Sequence, residues 1–151
     1  MGTDMTAFIE YDKNEYYHNE WPGNYPIKPP FTSDIDSVSE EEGLFTGSKD
    51  YLFFNAIAGI RSKDEKKPLI EPRGLPEKKS VRLSIAIDNN VFSDLFGIGW
   101  LTLEEIEQSL LFQQVDKEEL SFETHTILNI MNDLEKRCGK NRVRLIFGFD
   151  G

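Results

Sequence analysis

The amino-acid sequence predicts a single α+β domain whose two chain ends both supply strands to one small sheet, covered by about three helices. Three observations carry this. Residues 4–12 and 142–150 alternate apolar and polar side chains with the period of a strand. Residues 48–59, 102–113 and 121–139 have helical spacing bounded by capping residues. The chain is 151 residues long, within the usual size of one domain and long enough to bury a core.

The first strand places Met5, Ala7, Ile9 and Tyr11 on one face and Thr6, Phe8, Glu10 and Asp12 on the other. Residues 13–47 then read as a long irregular segment. It is aromatic first, with Tyr16, Tyr17, Trp21 and Tyr25 among turn residues, and then acidic, with Glu40, Glu41 and Glu42 in a row. In the helix at 48–59, Ser48 suits the N-cap, Asp50 the positive first turn and Gly59 a left-handed close. Tyr51, Phe54, Ile57 and Ala58 form its inward face.

Residues 61–80 read as a charged loop broken by Pro68, Pro72, Gly74 and Pro76. Val81, Leu83, Ile85 and Ile87 alternate with Arg82, Ser84 and Ala86, which favours a strand, with a helix as the competing reading. Thr102-Leu103-Glu104-Glu105 is a capping box that opens a helix with Leu103, Ile106 and Leu110 inward. The last helix begins near Ser121 and ends at Gly139, with Ile127, Leu128, Met131 and Leu134 inward. In the final strand Val143, Leu145, Phe147 and Phe149 share one face, and Arg142, Arg144 and Ile146 the other.

Charge narrows the function classes. The chain holds 27 acids and 17 bases, a net of −10, which opposes direct nucleic-acid binding. A basic protein surface is the partner this balance suits. One stretch runs the other way: from Arg61 to Arg82 there are eight bases against four acids. It reads as a solvated loop, with a small anion site as the alternative. No apolar run reaches membrane-span length, and the acidic start does not resemble a signal peptide. The Gly2 to Thr6 spacing meets a myristoylation signal that chance easily supplies. A single cysteine, Cys138, excludes an internal disulfide and fits a cytoplasmic protein.

Catalytic motifs are not visible. Cys138 lies at a helix C-terminal end, where the dipole disfavours a thiolate. His18 and His125 form no metal-ligand spacing, so neither a metal nor a cofactor is expected. Gly97-x-Gly99 lacks the rest of a phosphate loop.

Four segments together resemble a family of small, uncharacterised bacterial and bacteriophage proteins. They are Lys49-Asp50-Tyr51-x-Phe53-Phe54-x-x-Ile57-Ala58-Gly59-Ile60-Arg61, Pro72-Arg73-Gly74-Leu75-Pro76, Trp100-Leu101-Thr102-Leu103-Glu104-Glu105-Ile106 and Arg144-Leu145-Ile146-Phe147-Gly148-Phe149-Asp150. The family pattern is approximately RDY-x-x-F-x-x-LAGVR, RGLP, SWLTLEEL and RLVFWFDN. Asp4-Met5-Thr6-x-Phe8-Ile9-Glu10 is similar to its opening strand, so the likeness touches nearly the whole chain. Where members often carry a His-Ser-rich turn before the Trp, this chain has Phe96-Gly97-Ile98-Gly99. The resemblance implies an association with phage or mobile elements and no particular activity.

The leading expectation is therefore a non-enzymatic interaction protein that binds, and can inhibit, a macromolecular partner. Tyr16, Tyr17, Trp21 and Tyr25 would anchor that partner, and Glu40, Glu41 and Glu42 would steer it. The alternative is a small enzyme or anion-binding domain at Arg61 and Arg73, with Tyr51 and Trp100 as apolar walls. Against that alternative stands a structural role, in which both guanidiniums pair with Asp50 or the chain-end carboxylates and lock loops to the sheet.

Overall fold

A computed structural model describes residues 2–13, 31, 34–38, 49–62 and 66–151. Its centre is a four-stranded antiparallel sheet: β1 (Asp4–Asp12), β2 (Ile35–Ser37), β3 (Phe96–Thr102) and β4 (Val143–Asp150), in the order β2-β1-β4-β3. Among the described residues four α-helices accompany it: α1 (Tyr51–Ala58), α2 (Val81–Asp88), α3 (Leu103–Phe112) and α4 (Phe122–Cys138). A single 3₁₀ turn, Lys117–Glu119, links α3 to α4. The terminal strands are the two central ones, paired from Asp4↔Asp150 to Tyr11↔Val143. Both carry apolar residues on each face, and only a central position buries both faces.

The sheet separates two cores. On one side α1, α3 and α4 cover Met5, Ala7, Ile9, Leu101, Val143, Leu145, Phe147 and Phe149. On the other, Leu83 and Ala86 of α2, with Phe92, pack on Phe8 and Ile146. The face assignments for β1 and β4 made from alternation hold in the structure.

Three expectations about the elements need correction. The run 81–87 is helical rather than extended. Ser80 Oγ accepts the Leu83 N–H at 3.1 Å, and burial falls on Leu83 and Ala86, one turn apart, leaving Val81 74% exposed. The strand that follows it in the chain is β3, an edge strand that the glycines of Phe96-Gly97-Ile98-Gly99 disguised. Its register shifts between Phe96 and Gly99, an irregularity that glycine tolerates. Within 13–47, Ile35–Ser37 is a strand that extends the sheet beside Glu10–Asp12.

Helix ends largely follow the sequence. Gly59 closes α1 at φ +70°, the left-handed conformation that glycine takes without a steric penalty. Thr102 and Glu105 exchange both bonds of the capping box, and Ser121 caps α4. Ser48 lies outside the described residues, and the N-cap of α1 is Asp50. The Asp50 carboxylate caps nothing in α1. It reaches the start of α4 and accepts from the Ser121 N–H at 2.8 Å and the Thr124 hydroxyl at 2.7 Å. Among the described residues no helix is long and apolar enough to cross a membrane.

Candidate functional site

A cleft of about 380 Å³ opens on the α2 side of the sheet. Its walls include Phe31, Arg73, Lys78, Trp100, Glu105 and Arg144. Sheet geometry puts the last strand residues there. Trp100 and Thr102 are two apart on β3, so they share a face, and Thr102 sits opposite Arg144 on β4. Glu105 is held by the capping box, its Oε1 accepting the Thr102 N–H at 3.0 Å. The remaining wall is the segment 72–80, which crosses the open edge of β3. A side chain at Gly99 would stand 3.0 Å from Pro72 Cα, a tighter approach than a Cβ usually makes, so the close crossing favours a glycine. The Gly74 N–H then donates to the Ile98 carbonyl at 2.8 Å, which occupies part of the strand edge.

Ion pairs lock this wall down. Arg73 forks onto Glu105, with Nη1 at 3.3 Å from Oε1 and Nη2 on Oε2. Its Cζ lies 4.3 Å from the Trp100 ring centroid. Arg144 gives Nε and Nη2 to Glu10 Oε1 at 3.0 and 2.7 Å, and Nη2 also donates to the Lys78 carbonyl. Glu10 Oε2 accepts the Ser80 N–H at 2.7 Å, so one buried carboxylate holds both β4 and the start of α2. Arg142 and Asp12 form a second buried pair beside the first. Burial pulls the Arg144 pKa down from its ordinary value, and the facing Glu10 carboxylate opposes that shift. The Arg144 Cζ is 4.0 Å from the Phe31 ring centroid and 5.5 Å from that of Trp100, so aromatic and guanidinium groups alternate along the cleft.

The four residues of the predicted pocket divide into two pairs. Arg73 and Trp100 line the cleft. Arg61 and Tyr51 meet at the far end of the sheet, where Arg61 Cζ is 5.2 Å from the Tyr51 ring and Nε donates to Thr3 Oγ1 at 2.8 Å. The Tyr51 hydroxyl accepts the Thr3 N–H at 3.1 Å. Asp4 pairs with Asp150 and Glu10 with Arg144, so the two ends lie roughly 20 Å apart at strand rise. Neither of the described Arg73 and Arg61 contacts uses Asp50, whose carboxylate serves α4. Tyr16, Tyr17, Trp21, Tyr25, Glu40, Glu41 and Glu42 lie outside the described residues.

Sequence reasoning overlooked Arg144 and Phe31. A signal for Arg144 was present: Glu10 and Asp12 on one terminal strand, and Arg142 and Arg144 on the other, fall on facing positions once the strands run antiparallel. Phe31 falls in the segment 13–47 that the sequence reads as irregular, and it offered none.

A second surface lies where the starts of α1 and α4 converge, and it shares no residue with the cleft. Phe122, the first residue of α4, is 87% exposed beside Leu52, and both border a groove with Lys49, Glu119 and Glu123. The segment 116–123 brings four acids and one base to this side. Phe122 stands out because the buried stripe of α4 runs through Thr124, Ile127, Met131 and Cys138.

Cys138 is buried, and its thiol is pushed up by that burial and then by the Asp12 carboxylate. Among the described residues, no three His, Cys, Asp or Glu side chains are grouped to hold a metal. No protein-family model, curated protein or solved structure matches the chain.

Proposed function

We propose that this chain is a non-enzymatic binding protein, of the phage or mobile-element type that its sequence resembles, and that its partner is a basic protein surface. The observation that carries this reading is the Phe122–Leu52 patch. A large apolar side chain left in water next to a second one, with acids around both, has the anatomy of an interface anchor and its polar rim. Glu119 and Glu123 would speed encounter with Lys- and Arg-rich surfaces, and the net charge of −10 extends that field. Covering a basic surface is also a direct means of inhibiting it. The aromatic stretch 16–25 supplies further candidate anchors.

The test is capture from host lysate with the whole chain as bait. The expected result is a stoichiometric protein partner that is lost with Phe122→Ser and released by raised salt. Capture unchanged by both Phe122→Ser and Trp21→Ala would sink the reading, as would co-purification of a small anion with no protein.

A further inference from the structure

We propose that the cleft between Trp100, Phe31 and the 72–80 segment is a binding site for a small planar carboxylate, an aromatic monocarboxylic acid. Arg144 is 3% exposed, and its Nε and Nη2 are committed to Glu10 and the Lys78 carbonyl. Its Nη1 joins none of those bonds and has no hydrogen-bond partner among the described residues, although Arg144 lines the cleft. A guanidinium edge with no protein acceptor, on a side chain that lines a cleft, is the donor that a carboxylate entering the cleft would meet. Lys78, on the same wall, adds a second donor.

The charge balance selects the headgroup. Glu105 offsets Arg73, Glu10 offsets Arg144, and Glu77 adjoins Lys78 on the lining. Little positive charge is left over, so a phosphate dianion lacks the surplus that would repay its desolvation. A singly charged carboxylate with one delocalised charge asks for less. The body of the ligand follows from the walls. Trp100, Phe31 and Pro76 are flat and apolar, and about 380 Å³ suits one or two fused rings rather than a nucleotide. Both guanidiniums are already stacked and forked, so binding need not order them.

The probe is benzoate, with inorganic phosphate and benzyl alcohol as its anion-only and ring-only counterparts. Each is titrated into the full chain while the indole N–H resonance of Trp100 is followed, assigned with a Trp21→Phe variant. Benzoate should shift that resonance to saturation at least tenfold more tightly than either counterpart. Lys78→Gln should weaken benzoate at least fivefold at an unchanged melting temperature. A non-saturating response, phosphate or benzyl alcohol within tenfold of benzoate, or indifference to Lys78→Gln would each overturn the proposal. Its failure leaves the Phe122 reading untouched, because the two surfaces share no lining residue.

Discussion

Glu10 illustrates how much one side chain can organise. It is fully buried, and its two oxygens take three donors from Arg144 and Ser80. Glu10→Gln would leave the Arg144 guanidinium buried without its counter-charge, a loss of about 3–5 kcal/mol for pairs of this type. Adding Arg144→Met to Glu10→Gln should recover part of that loss, because the stranded charge is gone. Urea midpoints of the four species give the coupling directly, and strict additivity would show that the pair is not a unit. Arg73 sits in a wetter place, with the Arg73 and Glu105 side chains 29% and 20% exposed. Arg73→Lys keeps the charge but loses the fork and the flat stack on Trp100, and should cost only about 1 kcal/mol.

At the scale of elements, α2 shows why short apolar runs mislead. Val81, Leu83, Ile85 and Ile87 fit a two-residue period, but Leu83 and Ala86 fit a helical one equally well. The decision came from outside the run: the Ser80 hydroxyl caps the helix while the Ser80 N–H is anchored on Glu10. Ser80→Ala should therefore cost about 1 kcal/mol through the lost cap. Val81→Ser should change the urea midpoint little, within about 0.5 kcal/mol, because Val81 faces water. A strand with Val81 inward would make the second substitution the worse one. In β3 the same lesson runs in reverse. A glycine that reads as loop is favoured there because the 72–73 backbone lies close against Gly99.

For the whole molecule, the central pairing of β1 and β4 makes both ends of the chain part of the core. Cys138, at the end of the helix that precedes β4, reports on that core. Thiol reagents should label it at pH 8 only as fast as the protein opens, and at once in denaturant. Its pKa is raised above the ordinary 9.0 in the folded state, so the neutral thiol is the form that folding favours. Below pH 9 the thiol is neutral in both states and costs nothing. As pH rises from there toward the folded value, the unfolded chain ionises first and stability falls. The wild type should thus lose more of its urea midpoint between pH 8 and 10 than Cys138→Ala.

The sequence by itself determined what depends on near neighbours along the chain. The terminal strands and their faces, the capping box at Thr102, the Ser121 start of α4 and the Gly59 close of α1 all follow from local periodicity and local hydrogen bonds. The α+β class followed from those elements. Tertiary structure alone decided the contacts between residues distant in sequence. It put Arg73 on Glu105 rather than Asp50, drew Arg61 to Tyr51, and closed the cleft with Phe31 over Arg144. It also chose helix over strand at Val81–Asp88, because the residue that anchors Ser80 lies seventy positions away. A local pattern states which faces must be covered, but only the assembled sheet states by what.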